Sequence, residues 1–171
     1  MTQRFLAIDF ETAEYARDSA CAIGLALVEN LQIVETASYL IRPPSSRFVF
    51  TNIHGITWDD VKEERTFGEL WPSISRFFEG VDFIAAHNSP FDKGVLGACC
   101  RRYDIAPPET EFRCTLRLAR KLLDLESNNL KSVSDHYGIE LNHHEALSDT
   151  IACAKIMIEF LKIEGECGLC L

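Results

Sequence analysis

The chain has 171 residues, 47% of them hydrophobic and 25% charged, enough for one domain with a substantial core. Its formal net charge of −9 excludes a protein that coats nucleic acid by bulk electrostatics, so any such partner should associate weakly, through metal ions and a local basic strip. Nothing approaches the roughly 18 apolar residues of a membrane span and no secretory leader is visible, so a cytoplasmic protein with no membrane partner is expected.

The spacing predicts a first strand over Arg4 to Phe10, whose apolar run ends in Asp9-Phe10-Glu11-Thr12. Side chains alternate along a strand, so Phe5, Ala7, Asp9 and Glu11 share one face while Leu6, Ile8 and Phe10 share the other. The two carboxylates then lie about 7 Å apart at their Cα atoms, close enough to converge on a hard cation. Burying both without a cation is costly, so the pair either reaches solvent or holds metal.

Ala22 to Val28 and Gln32 to Ile41 read as two further strands joined by a short turn at Glu29-Asn30, the second stopping before Pro43-Pro44. A polar loop leads to Ile53-His54-Gly55-Ile56-Thr57. Thr57 is placed to cap a short helix over Asp59 to Glu64, and Thr66 another over Phe67 to Glu79. Asp82 to His87 reads as a buried strand feeding a helix from Ser89 to Tyr103. Thr115 to Leu123 is amphipathic, Asn129 to Tyr137 forms a helix stopped by Gly138, and Glu145 to Lys162 forms the last long helix.

Two of these helices carry an acid on an otherwise apolar stripe. Asp92 shares a face with Val95, Leu96, Cys99 and Tyr103, and Asp149 shares one with Ala152, Cys153, Ile156 and Phe160. Each acid also lies in a first turn, where the helix dipole favours it. Two core-facing aspartates together with the strand pair are better explained by a four-carboxylate cluster, and such a cluster suits Mg²⁺ or Mn²⁺. His144 precedes Asp149 by five residues. Inside one helix the two would point about 140° apart, so they converge only if His144 sits in the loop entering the helix. There it could take a proton from a water at the metal cluster. His54, His87, His136 and His143 read as surface or capping residues.

The seven cysteines are an odd number. Cys21, Cys99, Cys100, Cys114 and Cys153 lie in apolar or helical contexts and read as reduced core thiols. Cys167 and Cys170 form a C-x-x-C with no second pair nearby, which reads as a plain thiol-bearing end rather than a zinc site. No linker or repeat interrupts the chain, so residues 1–165 form one domain and 166–171 a short tail. Strands first, then alternating helices and strands, mean a mixed α/β sheet covered by helices.

These residues resemble the DEDD superfamily of 3′→5′ exonucleases, in the histidine branch that includes the proofreading epsilon subunit of DNA polymerase III, ribonuclease T and oligoribonuclease. Asp9-Phe10-Glu11-Thr12 is similar to the first motif. His87-Asn88-Ser89-Pro90-Phe91-Asp92 is similar to the second, and His144-Glu145-Ala146-Leu147-Ser148-Asp149 to the third. The sister branch has tyrosine where Glu145 stands. The resemblance covers about Phe5 to Leu161.

It implies a ribonuclease-H-like α/β fold and an enzyme that hydrolyses single-stranded nucleic acid, DNA favoured, to nucleoside 5′-monophosphates. Asp9, Glu11, Asp92 and Asp149 would hold two Mg²⁺ or Mn²⁺ ions and His144 would be the general base. Thr12, the His54 loop and the segment from Asn88 to Phe91 would lie near the 3′-terminal nucleotide. Phe10, Phe91 and Phe50 fit either a base-stacking surface or the core. Arg113, Arg117, Arg120 and Lys121 fit either a phosphate track or a solvated helix face. The alternatives are an RNA-directed exoribonuclease, a non-catalytic binding module and a metal-dependent phosphomonoesterase. The epsilon subunit binds its polymerase through a C-terminal extension, whereas this chain ends at Leu171, so a stand-alone exonuclease is expected. The sequence says nothing of oligomeric state.

Overall fold

A computed structural model describes residues 3–142 and 144–167. His143, Cys170 and the rest of the tail beyond Cys167 lie outside the described residues. The central strand, Arg4–Thr12 (β1), runs two residues past its predicted end, so Glu11 and Thr12 are strand. Ala20–Glu29 (β2) pairs antiparallel with β1, and Gln32–Leu40 (β3) pairs antiparallel with β2. Their hairpin turns on Asn30 and Leu31, at φ of 52° and 62°, a left-handed pair that matches the twist of the flanking strands. Phe83–Ala86 (β4) and Phe112–Cys114 (β5) add in parallel, giving the order β3-β2-β1-β4-β5. The sequence reading missed β5, because three residues are too few to display an alternation.

The helices are Thr51–His54 (α1), Trp58–Val61 (α2), Phe67–Ile74 (α3), Ser89–Arg102 (α4), Thr115–Leu122 (α5), Leu130–Tyr137 (α6) and Ala146–Cys167 (α7). Both predicted caps hold: the Thr57 N–H donates to the Asp60 carboxylate at 2.7 Å and the Thr66 N–H to that of Glu69 at 2.8 Å. The α3 helix is shorter than predicted. Pro72 interrupts its hydrogen-bond ladder, and the chain tightens into a 3₁₀ turn over Ser75–Phe78. Gly138, at φ 64°, ends α6 as expected.

The alternation of β1 divides the core. Leu6, Ile8 and Phe10 pack with Phe67, Leu70 and Ile74 of α3 and with Val95, Leu96 and Cys99 of α4. Phe5 and Ala7 pack on the other side with Cys153, Met157 and Leu161 of α7. A second stripe of α7, Ala152, Ile156 and Phe160, packs against Ala119 of α5 and Leu130 and Val133 of α6. Buried on two sides, α7 has a fixed height over the sheet. Gly24 lets it come close: a Cβ there would stand 2.2 Å from the Ala146 carbonyl oxygen and 2.3 Å from Thr150 Oγ1. Gly24 is paired with Asp9, so this approach seats the start of α7 over the acidic end of β1. The five cysteines read as core thiols are buried and free. Among the described residues no helix is long and apolar enough to cross a membrane.

Candidate active site

The parallel pairing of β1 with β4 covers only Phe5 to Ala7 against Phe83 to Ala85. Beyond it the strands part, and the crevice at their carboxyl ends is where an open α/β sheet presents ligand-binding residues. The chain leaves β4 through His87 and Asn88 and enters α4. Asn88 takes a left-handed conformation, φ 73°, and its carbonyl accepts from the Phe91 N–H at 2.9 Å. This turn drops Asp92 into the crevice at 1% exposure, where its Oδ1 accepts from the Phe10 N–H at 3.1 Å.

Asp149 arrives from the other side, in the first turn of α7, at 5% exposure. His144 lies in the turn before α7, as convergence requires, at φ 69°, and its N–H donates to Asp149 Oδ2 at 3.3 Å. The entry loop is pinned by the Asn142 N–H to Ser148 Oγ and the Asn142 side chain to the Glu145 carboxylate, both 2.7 Å. Glu11, His144 and Asp149 each place a ligand atom within 4.8 Å of the others. Glu11 sits at a register shift in the pairing of β1 with β2, between Glu11 and Thr12.

Burial and like charge raise the acids together. Asp9 is held well above the usual carboxylate range by burial first, then by Asp92, Glu11 and Asp149. Burial pushes Asp92 up to about 8 against the opposing Phe10 hydrogen bond, and burial with Asp149 pushes Glu11 up to about 7. Carboxylates drawn from β1, α4 and α7 into one crevice, and raised this way, fit divalent cations.

The predicted substrate residues separate. Thr12 is buried at the end of β1. His54 accepts from the Ile56 N–H at Nδ1 (3.0 Å), which leaves Nε2 to donate to the Thr12 carbonyl at 3.2 Å. Both ring nitrogens are thus taken by main chain, and His54 anchors its loop over β1. Burial lowers its pKa, and His144 pushes the same way. Phe10 is a correction: at 3% exposure, packed 6.5 Å from the Phe67 ring, it has no face for a base and contributes its N–H instead. Asn88 and Phe91 are exposed beside the crevice. His87 is structural: Nε2 donates to the Asn128 carbonyl at 3.1 Å, and Nδ1 lies 2.9 Å from Thr115 Oγ1.

Two residues escaped the sequence reading. Tyr15 is 76% exposed and meets Phe50 edge-on at 4.9 Å. Arg17 lies 6.0 Å from the Phe91 ring centroid and donates to the Pro90 and Phe91 carbonyls at 3.3 and 3.2 Å. Both are in the loop after β1, where no periodicity marks a residue; their closeness to the Asp-x-Glu-Thr run was the one available signal. The basic strip splits. Arg113 stacks 4.3 Å from Phe83 and reaches Glu164 at 3.9 Å, Arg117 lines a small cavity with Ser89 and Cys114, and Arg120 lines a larger one with Asp9 and Asp149.

A family model described as exonuclease, of the RNase T type, matches residues 6–157. The chain belongs to this exonuclease family. It is 31% identical over 171 residues to the PolC-type DNA polymerase III of Thermotoga maritima and 30% over 169 to that of Clostridium perfringens. The matches cover 96% and 95% of this chain and 12% of each polymerase, so the chain spans about an eighth of these relatives' length. Escherichia coli exonuclease I bound to a dT13 oligonucleotide superposes with a TM-score of 0.81 at 16% identity, covering 97% of this chain and 42% of that one. The nuclease domain of 3′hExo, a DEDDh family member bound to rAMP, superposes at 0.79 and 17% identity, covering 95% and 93%. This exonuclease therefore has the ribonuclease-H-like fold and falls in the 3′→5′ DEDD superfamily, an enzyme class that uses divalent metal ions.

Proposed function

We propose that this exonuclease removes nucleotides one at a time from the 3′ end of single-stranded nucleic acid, DNA by preference, and releases nucleoside 5′-monophosphates. The observation that carries the reading is the convergence of Asp9, Glu11, Asp92 and Asp149 from β1, α4 and α7, with three of them held above the ordinary carboxylate range. Such a set suits two divalent cations, Mg²⁺ or Mn²⁺. Bound there, they would supply the Lewis acidity that acidifies the attacking water and balances charge on the leaving 3′ oxygen.

The chain's own groups do the rest. The Phe10 N–H aims Asp92 and the His144 N–H aims Asp149, so both carboxylates are oriented before a ligand arrives. The His144 ring takes a proton from the attacking water. As the water oxygen bonds to phosphorus, the bond from phosphorus to the strand's 3′ oxygen breaks. That oxygen takes up a proton from solvent, leaving a strand one nucleotide shorter with a 3′ hydroxyl. The terminal nucleotide lodges beside Thr12, the His54 loop, Asn88 and Phe91. Digestion of labelled single-stranded DNA, duplex DNA and RNA in Mn²⁺ tests the reading. Stepwise shortening of single-stranded DNA ahead of the others supports it, and RNA consumed faster would move the preference to ribonucleotides.

A further inference from the structure

The acidic cluster stands between two cavities. One, of about 490 Å³, is bounded by Ser38, Ile53, His54, Ile56 and His144. The other, of about 560 Å³, begins at Asp9 and Asp149 and passes His87 to Leu116, Arg120, Asn128 and Leu130. The chemistry above makes no use of the second, yet two of its groups have no counterpart in the protein. Arg120 is exposed, and no hydrogen bond or ion pair among the described residues engages its guanidinium. Asn128 Oδ1 is shielded from solvent and accepts no hydrogen bond. Its neighbours are satisfied: the Asn128 carbonyl accepts from His87, and the Asn129 side chain caps α6 by accepting from the Ser132 N–H at 2.8 Å. A buried acceptor left unpaired is costly, so this one calls for a donor from outside the chain.

We propose that the second cavity lodges the nucleotide on the 5′ side of the scissile bond, with Arg120 on a backbone phosphate and Asn128 Oδ1 accepting from that nucleotide's sugar or base. The proposal rests on the exonuclease reading and deepens it. A strand cut at the cluster must occupy both sides of it, and the first cavity, with the residues around Thr12 and Asn88, takes the terminal nucleotide. A guanidinium at the rim fits phosphate oxygens. Phosphate offers no proton to Asn128, so its partner is a hydroxyl or N–H of the nucleotide itself: a ribose 2′-hydroxyl or a base N–H. Leu116 and Leu130 supply the apolar wall against which a base or sugar packs.

Steady-state kinetics on two substrates test it: a thymidine oligonucleotide, and the 4-nitrophenyl ester of thymidine 5′-monophosphate, which carries the reacting phosphate and terminal nucleoside but nothing on the 5′ side. Arg120→Ala should raise KM for the oligonucleotide about tenfold with kcat little changed, and lower the salt slope of kcat/KM by about 0.7. The loss should have no counterpart in the ester. Arg117→Ala, on the same helix but facing the smaller cavity, should match wild type. Equal losses on both substrates, or no loss on the oligonucleotide, would overturn the proposal. Asn128→Leu should erase a preference at the penultimate nucleotide. A lost ribose-over-deoxyribose ratio identifies the 2′-hydroxyl as donor, a lost base preference identifies the base, and neither change overturns the assignment of Asn128. Wild-type protein inert on both substrates in Mn²⁺ would instead sink the exonuclease reading beneath it.

Discussion

The main-chain N–H of His144 donates to Oδ2 of Asp149 across 3.3 Å, so the histidine and the last acid are tied by backbone as well as by spacing. The bond demands a left-handed residue, φ 69°, at position 144. Asparagine tolerates that conformation and lacks an imidazole. His144→Asn should therefore keep the fold and the Mn²⁺ affinity while slowing cleavage about 10²–10⁴-fold. Thermal melts, Mn²⁺ titration and single-turnover rates check it. A rate within a few-fold of wild type would remove His144 from the base role.

The raised acids make a pH prediction whose sign is opposite to ordinary acid denaturation. Glu11 and Asp92 hold protons up to about 7 and about 8 in the fold, whereas the unfolded chain releases them near pH 4. Their stabilisation is complete below the unfolded values and is lost as pH rises through 7 to 8. In EDTA the melting temperature should fall between about pH 5 and 8, and Asp92→Asn should flatten the fall. Saturating Mn²⁺ should abolish it, because cations favour the ionised form. A wild-type profile that rises across this window and matches the mutant would contradict the buried-charge account.

Asp92→Ala and Asp149→Ala should abolish cleavage without lowering the melting temperature in EDTA, since each removes a like charge from the crevice. Melting several degrees lower in EDTA would make these acids structural, with hydrogen bonds such as that from Phe10 outweighing the repulsion they carry.

Gly24→Ala tests the close approach of α7 to β2. Its Cβ would meet the Ala146 carbonyl and Thr150 Oγ1 at contacts no real Cβ tolerates, so the start of α7 must lift and carry Asp149 with it. A loss of about 1–3 kcal/mol is expected, with activity falling further than stability explains. An active, equally stable Gly24→Ala protein would show that α7 reaches the cluster by another route.

Much of this was legible because burial writes long, periodic signals. The two faces of β1 and the stripes of α4 and α7 put Asp9, Asp92 and Asp149 on core-facing positions, and a charge on such a face stands out. The short elements β5 and α1 left no period to read. Side-chain direction was harder: Phe10 looked as available as Phe91, and only the packing of α3 on β1 shows that it turns inward. Arg17 and Asn128 sit in loops, where their position depends on which helix ends meet there rather than on spacing.

The central claim is that the four carboxylates power removal of nucleotides from the 3′ end. The most direct measurement is a time course on a 5′-labelled single-stranded oligonucleotide in Mn²⁺ and in EDTA, with the released products identified by mass. The account predicts a ladder shortening one nucleotide at a time with nucleoside 5′-monophosphates accumulating, and no cleavage in EDTA. Undiminished cleavage in EDTA, or label released first as a mononucleotide from the 5′ end, would contradict it.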